Sequence, residues 1–436
     1  VIIRLSLHKL TARLALLFVS LPVLAFLVWL TVSHFIIGVM ADPREEIAPD
    51  LLSAATGYFP DSPLLNARMA GAELAETNDP EAAIGRAEML AGRAVRLSPR
   101  DYQNWILLAS ALEAKGEIAG ALNAIQTAIQ LAPKYTEGHW QHANLLLRNG
   151  QTDQALAEFQ TAVSLDPARL GATLDLIFNA TDGDLASLET VAGNGANERL
   201  GLARFLLDHS LADDAVRIFS SVNRQARLNS PDTEQFFNSL IASGRFGQAR
   251  NLWAELITQD KEIPLIWNGG FESDAVSHLG QFDWVIRESE FASFAIVSGM
   301  GRNSARSLRI DFAGRDTTRL LDEVRQTVIL KPGAHYRLEC YVRTAGLETP
   351  AGPRVVIASG AAEIATSAPI ASGNQDWTPL TIEFTVPTDS AAVFIGLRRI
   401  PKFSYDDPTR GTIWFDDFRL TPLEPGGETA RRRKAD

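Results

Sequence analysis

The chain has 436 residues, 46% hydrophobic and 21% charged, which suits two or three modules of about 100–200 residues and lies outside the composition of a disordered chain. A net charge of −11, from 41 basic and 52 acidic residues, argues against a nucleic-acid partner, which needs a concentrated basic face. The single cysteine, Cys340, rules out an intrachain disulfide and a Cys-based metal site.

From Leu14 to Ala41 there is no Asp, Glu, Lys or Arg, and about 20 apolar residues suffice to cross a bilayer as a helix. Pro22 and Gly38 are tolerated in such a helix. The competing reading is a cleavable signal peptide with Val39-Met40-Ala41 before the cleavage point, although an apolar region this long exceeds the usual one. Arg4, Lys9 and Arg13 precede the span, whereas Asp42, Glu45, Glu46 and Asp50 outnumber Arg44 after it. By the positive-inside rule, residues 1–13 stay cytoplasmic and everything after the membrane helix 14–41 lies on the far side of an inner membrane. Residues 42–67 read as a linker with a leading helix.

Pro99, Pro133 and Pro167 recur every thirty-four residues. In the same register lie Ala75/Ala109/Ala143, Ala87/Ala121/Ala155, Ala94/Ala128/Ala162, Leu97/Leu131/Leu165 and Gly116/Gly150. Small residues where two helices cross, large ones in the seam and a proline after the second helix describe a helix–turn–helix unit that must stack to bury its apolar face. These residues resemble the tetratricopeptide repeat (TPR) family. The unit Tyr102 to Tyr135 carries Trp105, Ala109, Ala121, Ala128 and Pro133; the next, Thr136 to Arg169, carries Ala143, Ala155, Phe159, Ala162 and Pro167 but has His139 and His142 where Trp and Leu are expected. Those histidines read as surface or groove residues rather than a metal pair, with no further ligand at a diagnostic spacing. A weaker unit precedes at Arg68 to Asp101, and two degenerate ones follow a break at Leu170 to Gly195, marked by Leu206/Leu240, Ala215/Ala249 and Phe219/Trp253. The array, taken as 68–263, implies by this resemblance a protein partner held in a groove.

Near Pro264 helical periodicity gives way to alternation. Tyr336, Leu338, Cys340 and Val342 alternate with polar residues or Tyr341, and period two recurs in Leu308-Ile310-Phe312, Val324 to Leu330, Leu380 to Val386 and Val393 to Leu397. Residues 264–422 are expected to form an antiparallel sandwich or jelly roll, with 423–436 a basic flexible tail whose run Arg431, Arg432, Arg433, Lys434 reads as a solvated end. The fold class is thus multidomain: a transmembrane helix, an all-α TPR-like repeat array and a C-terminal all-β sandwich.

The landmarks Asn268-Gly269-Gly270-Phe271-Glu272, Trp284, Gln326, Tyr336, Trp377 and Trp414-Phe415-Asp416-Asp417-Phe418 resemble carbohydrate-binding modules of the family 4/9 type, with a galactose-binding-like jelly roll. That resemblance implies non-catalytic polysaccharide binding, often with a structural calcium, for which Glu272 and Asp416 or Asp417 are the matching carboxylates, the alternative being turn and edge carboxylates with no metal. Sugar faces stack on aromatic rings, so Trp284, Tyr341, Arg343, Arg398, Phe403 and Tyr405 are the candidates, Trp377 and Trp414 being expected in the core. No nucleophile elbow, phosphate loop or His-Glu-x-x-His occurs, and the expectation is a non-enzymatic scaffold of the cell envelope that serves surface polysaccharide assembly or export. The alternative is an assembly factor that contacts only proteins.

Overall fold

The computed structural model describes residues 10–42, 44–76, 79–258, 263–275 and 279–423; Arg4, Lys9 and the basic run at 431–434 lie outside them. The chain divides into two compact units, Val1–Gly193 and Asn194–Asp436.

In the first unit, α1 (Leu10–Ala41) holds an uninterrupted apolar stretch, Leu16–Ala41, long enough to cross a membrane, with 6% of its window buried. Its last turns are different. Ile37, Met40 and Ala41 pack against a small core of Leu52 and Ala55 on α2 (Pro49–Tyr58) and Leu65 on α3 (Pro63–Leu74). Then follow α4 (Pro80–Leu97), α5 (Tyr102–Lys115), α6 (Ile118–Leu131), α7 (Thr136–Arg148), α8 (Thr152–Leu165), α9 (Leu170–Ala180) and α10 (Leu185–Ala192).

The thirty-four-residue register maps onto helix pairs. Ala87, Ala121, Ala143, Ala155 and Ala162 are fully buried where the two helices of a pair cross, because only a methyl side chain lets the backbones approach that closely. Helix α5 starts on Asp101, whose carboxylate accepts from Gln103 N, and stops on Gly116 at φ 85°, a left-handed cap that favours glycine. Pro99, Pro133 and Pro167 stand two residues beyond the second helices, where a missing N–H is harmless. Successive pairs are laced by ion pairs such as Arg148–Glu113 at 2.6 Å and Lys115–Glu88 at 2.7 Å, which are partly exposed and add little.

The second unit opens with α11 (Ala196–Asp208), α12 (Ala212–Ser221), α13 (Arg224–Asn229), α14 (Pro231–Ala242) and α15 (Phe246–Ile257). Phe219 lies parallel to Phe236 at 4.1 Å and edge-on to Phe237. Trp253 on α15, at the register position of Phe219, is wholly buried, but it points into the β region: its Nε1 donates to Leu279 O at 2.5 Å, and its ring meets Trp267 and Phe282 edge-on. Arg250 lies over Trp253 and Phe282 and donates to Pro264 O, and burial pulls its guanidinium down to about 10. The last helix therefore packs directly against the segments that open the sandwich.

The described residues form the sandwich from ten strands. One sheet has the order β1 (Val285–Ile286), β4 (Leu320–Ile329), β9 (Ala392–Arg399), β6 (Arg354–Ser359), β7 (Ala362–Thr366); the other has β2 (Ala292–Ser298), β3 (Arg306–Ala313), β10 (Arg410–Leu423), β5 (His335–Glu348), β8 (Gly373–Thr385). All pairings are antiparallel. From β3 to β5, and again from β7 to β10, consecutive strands alternate between the sheets, and Leu308, Ile310, Leu338, Cys340, Val393, Ile395, Ile413 and Phe415 fill the space between.

The opening and closing landmarks meet. Phe418 N donates to Gly269 O, and Phe271, Trp284 and Phe418 pack as three rings at 5.0–6.0 Å. Gln326 closes the same end from β4, pairing with both N and O of Trp267. A Cβ on Gly269 would sit 2.1 Å from Phe418 O, so glycine is required there. Gly269→Ala is expected to lower stability by about 1–3 kcal/mol through overpacking, read as a lower denaturant midpoint with the slope unchanged. Burial pushes the Cys340 thiol far above its ordinary range, so the native chain should resist alkylation at mildly alkaline pH and react only once unfolded.

Candidate functional site

Two surfaces carry the chemistry. The first belongs to the repeats. His139 and His142 are buried, 8% and 7% exposed, which corrects their reading as surface or groove residues. His139 stands at the register position of Trp105, whose Nε1 donates to Pro99 O at 2.9 Å. The His139 Nε2 takes up the equivalent contact with Pro133 O at 3.2 Å. Its Nδ1 faces Glu158 at 2.7 Å, and His142 Nδ1 lies 3.2 Å from the other oxygen of the same carboxylate. Glu158 in turn occupies the register position of Ala124. A Trp-Leu-Ala contact has become His-His-Glu, and the helix pair is kept. Burial works to raise the Glu158 carboxyl, and the close approach of His142 and the hydrogen bond with His139 outweigh it, leaving the group below its usual value.

The second surface is the outer face of the sheet β2-β3-β10-β5-β8. Because Ile413 and Phe415 point inward, Trp414 points outward, paired across the strands with Arg309 on β3 and Arg343 on β5. Both guanidiniums lie against the indole, 5.8 and 5.9 Å from its centre; these covers, not the core, leave Trp414 only 8% exposed. Trp377 falls on the same side of β8 and is partly exposed. Neither tryptophan packs into the core, contrary to expectation. Alternation already carried that information, since Trp414 lies out of phase with Ile413 and Phe415, and Trp377 with Leu380 and Ile382.

Toward one end of this face, Tyr341 carries the Arg302 guanidinium 3.3 Å above its ring, and Arg302 also holds Asp417 at 2.7 Å. Tyr341, Arg302, Asn303, Glu339 and Arg419 line a cavity of about 730 Å³, within the size range of small-ligand sites. An aromatic plane ringed by planar hydrogen-bonding groups suits a sugar ring.

The other expected sugar contacts are dispersed. Trp284 is 2% exposed, in the ring cluster of the core with its Nε1 bonded to Asn268 O, and is corrected to a packing residue. Arg398 lies on the opposite sheet, clamped by Asp322 at 2.7 Å and Glu363, and is corrected likewise to an ion-pair member. Phe403 and Tyr405, 47% and 74% exposed, sit on the loop between β9 and β10. That loop is tied down by the fully buried pair Arg399–Asp407, Asp407 also accepting from Lys402 N and Phe403 N.

Glu272, Asp416 and Asp417, the carboxylates matched for calcium, are each engaged by the chain's own donors. Asp416, wholly buried, accepts from Arg302 N, Ser304 Oγ and Asp417 N, while Glu272 accepts from Arg306 N. Burial raises the Asp416 carboxyl against these donors. Among the described residues no three His, Cys, Asp or Glu side chains converge as metal ligands. Asp416 and Asp417 pin the loop 299–305 across the sheet, and Glu272 holds the start of β3 at Arg306.

Glu158→Gln should cost about 1–3 kcal/mol near neutral pH. A depressed carboxyl contributes fully above its unfolded value and loses that contribution as pH falls through the lower folded value, so in denaturant titrations wild type and variant should begin to converge below about pH 4.3 and meet only once pH has fallen through the depressed native value. Adding a chelator or calcium should leave the melting temperature unchanged; a calcium-dependent rise would mean that the Asp416 bonds rearrange around the ion.

A family model described as tetratricopeptide repeat matches residues 102–135 and 136–169. No curated protein matches the chain. Among solved structures, one described as "CBM4 structure and function" is 19% identical over 36% of this chain and 99% of its own, with a TM-score of 0.27. A thermophilic TPR protein of Thermus thermophilus is 18% identical over 44% of this chain and 89% of its own, with a TM-score of 0.25. MamA is 13% identical over 45% and 89%, with a TM-score of 0.26. The segments 102–135 and 136–169 are tetratricopeptide repeats, and units of this kind are scaffolds for protein–protein interaction.

Proposed function

We propose that the chain is a membrane-anchored, non-catalytic scaffold of the cell envelope, which recruits a protein through its repeats and holds a polysaccharide on the outer face of its sandwich, in the assembly or export of a surface polysaccharide. The observation that carries the sugar half is the outward aromatic row on one sheet, Trp377, Trp414 and Tyr341, flanked by Arg343, Arg309 and Arg302. Rigid strands hold these groups in place, as recognition of a repeating polymer requires. The resemblance of the landmark series to family 4/9 modules agrees with that reading.

Retention of α1 is supported by its last turns. Ile37, Met40 and Ala41 belong to the core of the leading helices, so cleavage after Ala41 would strip apolar partners from Leu52 and Leu65. With α1 kept, the charge flanks favour an inner-membrane protein whose two binding surfaces lie outside the cytoplasm.

A second reading, contact with proteins alone, is favoured by the exposed apolar tip of Ile400, Phe403 and Tyr405 with Leu321 beside it. The full chain in detergent, passed over immobilised envelope polysaccharides, separates the two. Retention that falls at least about tenfold in Trp414→Ala and Tyr341→Ala, and is unchanged in Phe403→Ala with Tyr405→Ala, is expected. Retention of no polysaccharide would leave the protein-only reading.

A further inference from the structure

The outer sheet face holds one group that its protein neighbours do not satisfy. Trp414 Nε1 is shut off from solvent and has no hydrogen-bond partner among the described residues, an omission that costs about 1–3 kcal/mol in a folded protein. The side chain is more than nine-tenths buried by the arginines lying on it. Those arginines are unequally engaged. Arg309 gives Nε and one terminal nitrogen to Asp311 at 2.9–3.0 Å, and Asp311 also accepts from Thr412. The Arg343 side chain makes no hydrogen bond among the described residues; its nearest carboxylate is that of Asp376, 3.9 Å away on a side chain 88% exposed.

The unmet need here is therefore for an acceptor, and for a negative one. A guanidinium with its planar fork unused binds a carboxylate in two parallel hydrogen bonds, and a buried indole N–H beside it donates to the same kind of oxygen. The partly exposed ring of Trp377 on β8 supplies the apolar plane on which a pyranose lies. Asp311 and Asp376 offset part of the positive charge, so charge alone does not hold a ligand here and the apolar sugar faces contribute beside the carboxylates.

We propose that the ligand of this face is an acidic polysaccharide bearing ring carboxylates, a uronate polymer, its carboxylate taken by Arg343, which turns off the indole to reach it and so opens the Trp414 N–H to the same group, with Arg309 alongside. The proposal rests on the reading that this face binds sugar and adds the chemical class.

The test uses the full chain in detergent and three probes: polygalacturonate, a neutral β-glucan and poly-glutamate. Polygalacturonate should bind, and its affinity should fall as salt rises from about 0.05 to 0.5 M, since exposed charge pairs are screened. Arg343→Gln should weaken it by about tenfold or more and Arg343→Lys by less. Trp414→Phe, which keeps a ring and removes the N–H, should cost a further severalfold, on the order of one hydrogen bond. Circular dichroism of each variant checks that the sandwich is intact, and the lysine variant separates a charge effect from a folding defect. Equal binding of the neutral glucan, insensitive to salt and to Arg343→Gln, would overturn the acidic class while leaving the sugar face standing. Poly-glutamate binding as tightly as polygalacturonate would overturn the sugar class, and no binding to either polysaccharide would overturn this proposal together with the sugar reading beneath it.

Discussion

The buried indole of Trp253 decides how the second half of this chain is built. A tryptophan at that register position would, in a simple helical array, pack into the next pair of helices, as Phe219 does with Phe236. Here the next element is the sandwich, and the ring packs against its end, bonded to Leu279 O and walled by Trp267, Phe282 and the Arg250 guanidinium. A terminal repeat normally needs a polar outer face because nothing covers it. The β domain supplies that cover, which is why an apolar surface can end the array without exposing it.

The same end of the sandwich is where its first and last segments close on each other. Gly269, Phe271, Trp284 and Phe418 form one packed joint, and Gln326 ties Trp267 to β4. The residues most diagnostic of the domain thus hold its ends together, and the residues suited to a ligand lie elsewhere, on the strand faces. The acids of the closing motif behave alike: Asp416 and Asp417 fasten the loop that carries Arg302 onto Tyr341 and so shape one margin of the candidate binding surface.

Much of this was legible in the sequence, and what was not has physical causes. The thirty-four-residue period predicted the helix pairs because close helix crossing demands small residues at fixed places. It could not reveal that His139, His142 and Glu158 substitute jointly for Trp, Leu and Ala, since Glu158 comes from the second helix and meets the histidines only in three dimensions. Alternation found the strands with one wet face. It found β3, β4, β5, β8 and β9 but not β2, β7 or β10, nor β6, where Val355, Val356, Ile357 and Ala358 are all buried and no period of two exists. Residue type says nothing about which sheet a residue is on, so the six expected sugar contacts are dispersed: Trp284 lies in the core, Arg398 on the opposite sheet, Phe403 and Tyr405 on a loop, and only Tyr341 and Arg343 on the face of Trp414. Trp414 was misread for the converse reason, a large aromatic being taken as core although its strand phase placed it outside under two arginines.

If the last helix packs directly against the segments that open the sandwich, the last repeat helices and the sandwich must unfold together. Hydrogen exchange of the full chain, followed by mass spectrometry across a denaturant series, reads this directly. The account predicts that peptides from α14 and α15 and peptides from β4, β5 and β10 lose protection at a common denaturant concentration. Helical peptides that open well before the strands, with strand protection unaffected, would contradict it.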